Sequence, residues 1–190
     1  MQQPSMHDDV ERVLFTQGQI RERVRELGAE ISRDYCQRHP HLVTILKGSI
    51  PFMADLIRAM DCPLSLDVIG VASYAGHQSS GEVRLTKDLD NPIEGRHVLV
   101  VEDIIDTGLT LSYVLRVLRQ RSPASVKVVT FLDKPSRRTT PIDVDYVGFT
   151  IPDAFVVGYG LDWSQRYRNL SYVGVLKREI YAGGPSEPEG

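Results

Sequence analysis

One stretch, residues 97–111, constrains the fold of this chain more than any other. Residues 98–101 read Val-Leu-Val-Val, a continuous apolar run that is typical of a strand buried on both faces of a parallel sheet. The chain then turns acidic, passes through Asp-Thr-Gly at 106–108, and from Leu111 carries apolar residues at helical spacing. The stretch therefore predicts a strand, a loop and a helix, with the loop at the sheet edge where ligands of open α/β folds bind.

The residues of this loop suit a phosphorylated sugar. Backbone N–H groups at a helix N-terminus attract a phosphate, and Gly108 lets the backbone approach it closely, while Thr107 and Thr110 add hydroxyl donors. The carboxylates of Glu102 and Asp103 would repel a phosphate, so they are expected to bind either ribose hydroxyls or a magnesium ion. An acidic strand end followed by an N-capped helix explains the same residues, and both interpretations stay open at this point.

The complete string at 100–110, Val-Val-Glu-Asp-Ile-Ile-Asp-Thr-Gly-Leu-Thr, resembles the phosphoribosyl pyrophosphate loop of the phosphoribosyltransferases, in the form found in their bacterial-type hypoxanthine-guanine branch. The resemblance implies that Asp106 is the catalytic residue, lying beside N7 of a purine and taking up a proton as N9 attacks the sugar. Leucine at 109 replaces the lysine of some relatives, so a contact there would come from the backbone. The substrate-binding residues implied in this loop are Glu102, Asp103, Ile105, Asp106, Thr107, Gly108, Leu109 and Thr110.

A second strand–loop–helix unit lies nearer the N-terminus. Residues 42–46 read as a short buried strand that runs into Lys47-Gly48-Ser49, and Pro51 follows near the first turn of a helix. An ordinary turn with a surface lysine would explain this pattern by itself. The resemblance assigns it instead to the pyrophosphate loop, in which Lys47 and Gly48 bind substrate and a cis peptide turns backbone N–H groups toward the ligand.

Residues 75–82, which follow a third predicted strand at 65–74, are small, polar and flanked by glycine. Such loops are mobile and can act as lids. The resemblance implies that a loop opening with Ser73 and Tyr74 closes over the pyrophosphate. Residues 83–86 are predicted to form a returning strand.

Lys134 lies in the turn that follows the predicted strand at 126–132. An ordinary basic turn at the protein surface would explain a lysine at this position. The resemblance implies that Lys134 selects the purine by donating to its exocyclic O6. An ammonium group carries only donors, so it suits a 6-oxo group and leaves a 6-amino group poorly paired.

Residues 152–162, Pro-Asp-Ala-Phe-Val-Val-Gly-Tyr-Gly-Leu-Asp, resemble the base-binding segment of the same family. The resemblance implies that Phe155 stacks on the purine, that the backbone of Val156 contacts the base, and that Arg168 binds pyrophosphate through its guanidinium group. It also implies a Mg²⁺ cofactor. The metal ligands expected for that ion are Glu102, Asp103 and Asp162.

Composition narrows the class of protein. The chain has 190 residues, of which 42% are hydrophobic and 25% are charged, with a net charge of −3. That charge argues against a nucleic-acid partner, and no apolar run is long enough to span a bilayer. Cys36 and Cys62 lack the spacing of metal ligands or of a redox motif, and the N-terminus has no signal-peptide pattern. A cytoplasmic location is therefore expected.

The predicted fold is an α/β domain at residues 1–182 with a three-layer core. Its mainly parallel twisted sheet has about five strands, and a small hood over the base site comes from the N-terminal part and residues 150–176. Residues 1–12 are expected to fray and residues 183–190 to be disordered. The five strands are expected near residues 42–46, 65–74, 97–102, 126–132 and 144–150.

The resemblance covers the chain from about residue 13 to residue 176. It implies purine salvage, in which the 5-phosphoribosyl group of phosphoribosyl pyrophosphate is transferred to N9 of hypoxanthine or guanine, giving IMP or GMP and pyrophosphate. A homodimer or homotetramer is implied. Two other functions are compatible with the same motifs: a regulator that senses phosphoribosyl pyrophosphate and binds nucleic acid, and a phosphoribosyltransferase for another base. The chain lacks the basic stripe and added helix-turn-helix that the regulator needs.

Overall fold

The structure, a computed structural model, describes residues 5–76 and 79–183, with the backbone alone for residues 73–76 and 79–82. Short 3₁₀ turns at Met6–Asp9 and Pro135–Arg137 accompany the main elements. Within the described residues no helix is both long enough and apolar enough to cross a membrane. The helices and strands, in chain order, are β1 (Val10–Phe15), α1 (Gln17–Tyr35), β2 (His41–Leu46), α2 (Ile50–Ala59), β3 (Ser65–Gly76), β4 (Ser79–Lys87), β5 (His97–Ile105), α3 (Leu109–Arg119), β6 (Ser125–Asp133), β7 (Tyr146–Thr150), β8 (Val156–Val157), β9 (Val173–Leu176) and α4 (Arg178–Tyr181).

The main sheet has six strands in the order β4-β3-β2-β5-β6-β7. The five strands β3, β2, β5, β6 and β7 run parallel to one another, and the edge strand β4 is antiparallel to β3. Successive residues of β5 point to opposite faces, so Leu99 and Val101 pack with α1 and α2 while Val98 and Val100 pack with α3. The predicted three-layer core with a mainly parallel sheet is confirmed.

Residues 16–19, Thr-Gln-Gly-Gln, have the form of a capping box, which predicts that a helix begins there, and α1 begins at Gln17. Thr16 and Gln19 form a capping box, in which the Gln19 N–H donates to Thr16 Oγ1 at 3.3 Å and the Thr16 N–H donates to Gln19 Oε1 at 2.9 Å. The buried residues of this helix recur at spacings of three and four, which places them on the side of the sheet. They are Ile20, Val24, Leu27, Ile31 and Tyr35, with Gly28 beside them.

A second, three-stranded antiparallel sheet in the order β1-β9-β8 forms the predicted hood. Its edge strand β1 corrects the expectation of a frayed segment at residues 1–12, because Val10 pairs with Leu176 and Arg12 pairs with Val175. These partners are far away in sequence, so local polarity could not reveal the pairing. Residues 1–4 lie outside the described part, as does most of the tail expected to be disordered.

Two further boundaries differ from the prediction. Strand β5 continues three residues beyond its predicted end at 102, because Ile104 pairs with Leu132 and Ile105 pairs with Asp133 of β6, so Asp103 lies on the strand and not in the loop. The proposed lid is strand for most of its length, since Tyr74 pairs with Glu82 and the β3–β4 hairpin continues outward. Residues 77–78 lie outside the described residues.

A buried histidine lies at the amino-terminal edge of the sheet. His41 is 1% exposed, its Nδ1 is 2.9 Å from Ser65 Oγ, and its Nε2 is 4.0 Å from the Asp67 carboxylate. Burial lowers the pKa of His41, and the charge of Arg96 adds to that effect against the opposite effect of Asp67. The folded protein therefore disfavours the protonated imidazole.

We expect this histidine to make the protein less stable in mild acid. In the unfolded chain this imidazole binds a proton with a pKa of about 6.5, whereas in the folded chain it does so only at lower pH. The free energy of unfolding therefore falls as the pH drops from the unfolded pKa toward the folded one, by at most about 1.4 kcal/mol per pH unit. Urea unfolding of the wild-type protein and of His41→Asn from about pH 8 to about pH 5 measures the effect. A stability difference between the two proteins that stays constant with pH would contradict it.

Candidate active site

The carboxyl edge of the main sheet brings the predicted loops together around two adjoining cavities. The first, the loop pocket, has a volume of about 160 Å³, and the second, the hood pocket, has a volume of about 240 Å³. Both are lined by Asp103, Ile104 and Asp106. The loop pocket is also lined by Glu102, Ile105, Thr107, Gly108, Thr110 and Leu111. The hood pocket is also lined by Lys134, Phe155, Val156, Leu161 and Asp162.

A larger cavity of about 470 Å³ lies elsewhere, beside α1 and α2. It includes Arg21, Asp55 and Tyr159, and none of the site residues predicted from the sequence line it. We place the candidate site in the two smaller pockets, because they lie at the carboxyl ends of parallel strands and carry the predicted chemical groups.

The loop after β5 has the form that an anion site needs. Gly108 is the N-cap of α3 with φ +85°, and no side chain in the described part of the chain makes a capping hydrogen bond there, so Asp106 does not serve as the N-cap of this helix. A Cβ at Gly108 would lie 2.9 Å from the Thr140 carbonyl oxygen, which leaves little room for a side chain. Thr107 Oγ1 accepts the Leu109 N–H at 3.4 Å. Apart from this bond to the Leu109 amide, no side chain of the described residues caps the first turn of α3 at the loop pocket.

Glu102 and Asp103 lie at the end of β5 in a desolvated setting. Glu102 is 7% exposed, and its Oε2 has no hydrogen-bond partner within the described part of the chain. Burial, together with the neighbouring Asp103 charge, raises the pKa of Glu102 well above its ordinary value. Burial also raises the pKa of Asp103 to about 6, opposed by the N–H of Ile104 and the charge of Arg168. Both carboxyl groups lack a nearby positive charge that would fully compensate them.

Asp162 is already engaged with protein groups. Its Oδ1 lies 2.8 Å from Arg168 Nη2, and its Oδ2 accepts the Gln165 N–H at 2.8 Å. Arg168 Nη1 also donates to the Gly160 carbonyl at 2.8 Å. No group of three His, Cys, Asp or Glu side chains within residues 5–72, 83–183 is placed to hold a metal ion, so the three predicted ligands do not form a ready-made site.

The loop after β2 is packed tightly against this edge. The Leu46–Lys47 peptide bond is cis, as the resemblance implied. A Cβ on Gly48 would overlap the Asp103 carboxylate, and one on Gly160 would overlap the Gly48 carbonyl oxygen. Glycine at both positions therefore lets the candidate pyrophosphate loop reach the end of β5.

Lys134 is buried and not part of a surface turn. It is 6% exposed, and its Nζ donates to the Ala154 carbonyl at 3.0 Å while lying 3.8 Å from Asp106 Oδ2 and from Asp153 Oδ1. Arg137 Nε donates to Asp106 Oδ1 at 3.4 Å. The ammonium group thus faces the hood pocket between two carboxylates.

Phe155 lines the hood pocket with one face of its ring covered. Its ring centroid lies 4.7 Å from that of Tyr181, with an interplanar angle of 18°, and 5.3 Å from that of Trp163 in an edge arrangement. Val156 is buried in the hood sheet, opposite Val175. Tyr181 belongs to the short helix α4, and the sequence around it did not indicate a role at the site.

Not every predicted residue lines the pockets. The linings do not include Lys47, Gly48, Leu109 or Arg168, and the Leu109 side chain is 49% exposed at the start of α3. The backbone of Ser73 and Tyr74 lies in β3, whereas their side chains are outside the described part. Arg138 and Asp153 were missed as neighbours of the site, although Arg138 belongs to the basic run that follows Lys134.

A family model described as "Phosphoribosyl transferase domain" matches residues 14–164. The "Hypoxanthine-guanine phosphoribosyltransferase" of Bacillus subtilis (strain 168) is 52% identical over 177 residues, which cover 93% of this chain and 98% of that protein. A crystal structure of a hypoxanthine phosphoribosyltransferase from Staphylococcus aureus is similar with a TM-score of 0.90 at 47% identity, covering 95% of this chain and 99% of that one.

Longer relatives also match. The chain is 52% identical over 179 residues to the "Bifunctional protein TilS/HprT" of Listeria monocytogenes serotype 4b, and it spans 28% of the length of that protein. The residues that match the family model include the loop after β5, which lines both pockets, together with Lys134 and the hood segment at 152–162. The chain therefore belongs to the phosphoribosyltransferase family, in its hypoxanthine-guanine branch.

Proposed function

We propose that this protein transfers the 5-phosphoribosyl group of phosphoribosyl pyrophosphate to N9 of hypoxanthine or guanine, giving IMP or GMP and pyrophosphate. The observation that carries the proposal is the pair of adjoining pockets that share Asp103, Ile104 and Asp106. One pocket offers uncapped helix amides to a phosphate, and the other offers a buried ammonium group and an aromatic ring to a purine. The similarity to hypoxanthine-guanine phosphoribosyltransferases supports the same reaction.

In this proposal the two pockets hold the sugar and the base on either side of Asp106. Departure of pyrophosphate leaves a sugar with oxocarbenium character, so the protein contributes mainly positioning, charge stabilisation and exclusion of water. The Asp106 carboxylate lines both pockets and takes the proton that N7 of the base releases as N9 attacks C1 of the sugar. Lys47, Gly48, Ser73, Tyr74 and Arg168 are proposed to bind the pyrophosphate.

Magnesium is part of the proposal. The unpartnered, buried Glu102 carboxyl oxygen and the raised pKa of Asp103 fit a nearby cation, and Asp162 lies on the lining of the adjoining pocket. Mg²⁺ commonly takes one or two protein carboxylates and completes its shell with substrate oxygens and water, which suits a site without three converging carboxylates. When bound, the ion would neutralise the charge that develops on the leaving pyrophosphate.

Lys134→Gln is expected to weaken binding of 6-oxopurines by about 1–3 kcal/mol, because the O6 acceptor would lose its charged donor. Affinity for phosphoribosyl pyrophosphate should change little. Steady-state kinetics with each substrate varied in turn measures both effects. Lys127→Gln on β6, the strand that precedes Lys134, removes a partly exposed ion pair with Asp145; it is the matched control and should leave both constants unchanged. Equal losses for both substrates would instead indicate a structural or phosphate-binding role for Lys134.

The reaction itself is tested by initial rates with hypoxanthine, guanine, xanthine, adenine and uracil at saturating phosphoribosyl pyrophosphate and magnesium. We expect turnover with hypoxanthine and guanine and little with adenine or uracil. Fastest turnover with another base would replace the proposed substrate class. Tight binding of phosphoribosyl pyrophosphate without any turnover would favour a regulator.

The remaining expectations belong to the same proposal. We propose that residues 1–182 act as one domain and that the protein forms a homodimer or homotetramer in the cytoplasm. Free thiols at Cys36 and Cys62 suit a reducing compartment. Sedimentation equilibrium of the full chain measures the oligomeric state, and a monomer at all concentrations would contradict that part of the proposal.

A further inference from the structure

The segment after β6, residues 134–140, wraps beneath the loop at 105–108, and we call it the strap. The Lys134 N–H donates to the Ile105 carbonyl at 3.0 Å. Farther along the strap, Thr139 and Thr140 both donate their N–H groups to the Thr107 carbonyl at 3.1 Å, and Thr139 Oγ1 donates to the same oxygen at 3.3 Å. Both ends of the strap therefore bond the backbone of the loop pocket.

Arg138 bonds the middle of the loop through its side chain. Its Nε donates to the Asp106 carbonyl at 3.2 Å and its Nη2 donates to the Ile105 carbonyl at 3.4 Å. The same guanidinium group pairs with the Asp133 carboxylate, and both side chains are 16% exposed. Three consecutive carbonyls of the loop, those of residues 105–107, are thus bonded to strap residues.

This pattern fixes the direction of the loop amides. The C=O and N–H groups of a trans peptide point in opposite directions, so a carbonyl held by the strap turns the next N–H away from the strap. The strap residues are absent from the lining of the loop pocket, whereas Asp106, Thr107 and Gly108 belong to it. The amides of these three residues are therefore held on the pocket side, ready for a phosphate.

Arg138 is suited to bind several backbone carbonyls at once, whereas, among the described residues, the neighbouring Arg137 does not contact the carbonyls of the loop. A guanidinium group can donate to two carbonyls and a carboxylate at once, which an ammonium group on a flexible stem does less well. Arg137 is 51% exposed and contacts the Asp106 side chain, with no backbone carbonyl of the loop among its contacts in the described structure.

We propose that Arg138 is a positioning residue for phosphoribosyl pyrophosphate: by holding the carbonyls of Ile105 and Asp106, it keeps the loop amides oriented to bind the substrate's phosphate. This inference rests on the proposed function and adds a residue to it. Because the strap also contains Lys134, the same segment joins the phosphate site to the base site.

The test uses the full-length protein and two substitutions. Arg138→Ala should raise the KM for phosphoribosyl pyrophosphate and its Kd by calorimetry, both with magnesium, by about 10- to 100-fold, the scale expected when a hydrogen bond from an amide to a charged phosphate is lost. The kcat at saturating substrate and the KM for hypoxanthine should change little. Arg138→Lys keeps the charge opposite Asp133 but cannot reach both carbonyls equally well, so its Kd should lie between those of Arg138→Ala and the wild-type protein.

Arg23 offers a matched control. Its guanidinium group also donates to two consecutive carbonyls, those of Val147 and Gly148, at 2.8 and 2.9 Å, and it pairs with Glu26 far from the loop. Arg23→Ala should lower the thermal midpoint of unfolding as Arg138→Ala does, yet leave the Kd for phosphoribosyl pyrophosphate at its wild-type value. Equal Kd changes in both variants would mean that Arg138 acts through stability alone and would overturn the inference.

Two other outcomes are decisive. If Arg138→Ala does not fold, the lysine variant decides, and a wild-type Kd in it would overturn the inference. If the wild-type protein neither binds phosphoribosyl pyrophosphate nor forms a nucleotide, the proposed function fails. If the wild-type protein binds phosphoribosyl pyrophosphate and forms a nucleotide, and the folded Arg138→Ala variant has an unchanged Kd, only the inference about Arg138 fails and the proposed function stands.

Discussion

Asp106→Asn is expected to lower kcat by about 10²- to 10⁴-fold, the usual contribution of a general base. The carboxylate lies where the two pockets meet, 3.8 Å from Lys134 Nζ and 3.4 Å from Arg137 Nε. Asparagine keeps the size of the side chain and can still accept hydrogen bonds, but it cannot take a proton. The KM for phosphoribosyl pyrophosphate should therefore change far less than kcat. Steady-state kinetics of the purified variant measures both.

Asp153→Asn is the matched control for that experiment. Its carboxylate also lies 3.8 Å from Lys134 Nζ and 3.9 Å from Arg137 Nη1, so its removal changes the charge around the same two cations without removing the proposed base. We expect kcat to fall much less in this variant. A folded Asp106→Asn variant with near wild-type kcat would show that Asp106 is not the base, and similar losses in both variants would attribute the effect to the charge balance.

Removal of divalent metal is expected to abolish turnover without unfolding the protein. Excess EDTA should eliminate nucleotide formation, and added Mg²⁺ or Mn²⁺ should restore it, because the leaving pyrophosphate needs a cation to neutralise its charge. The thermal midpoint should stay unchanged in EDTA, since no three-ligand metal cluster is part of the described fold. Full turnover in excess chelator would contradict the prediction.

The carboxylates near that cation can be ranked by the same assay. Glu102→Gln and Asp103→Asn should each raise the magnesium concentration needed for half-maximal rate, because each removes a proposed hard oxygen ligand from the end of β5. Calorimetric titration with phosphoribosyl pyrophosphate, with and without magnesium, gives a measure that does not depend on turnover. Asp88→Asn, which removes an exposed partner of Arg121 far from the pockets, is the control and should leave the requirement unchanged.

Local patterns in the sequence anticipated much of the site. The apolar run at 98–101, the glycine at 108 and the helical spacing after Leu111 are short-range features, and each acts on the backbone within a few residues. They sufficed to predict the strand, the loop and α3, as Thr16 and Gln19 sufficed for the start of α1. Family resemblance then assigned roles to side chains that spacing alone could not distinguish from surface residues.

Local sequence patterns could not predict contacts between residues that are distant in the sequence. Whether Asp103 belongs to a strand or a loop depends on the pairing of Ile104 with Leu132 in β6, and whether residues 10–12 fray depends on their pairing with β9. Lys134 reads as a surface residue in a basic turn until the Ala154 carbonyl and two carboxylates are brought around it. Burial of a charged group is a property of its neighbours in space.

Local sequence patterns were therefore enough to predict the order of the elements, the parallel character of the sheet and the loop proposed to bind phosphate, because hydrophobic spacing and turn residues act locally. Two contacts could be seen only in the folded structure: Arg138 binds the carbonyls of Ile105 and Asp106, 33 and 32 residues away, and Tyr181 covers Phe155. Such contacts form when the folded core brings distant segments together, and their geometry depends on the packing of several elements at once.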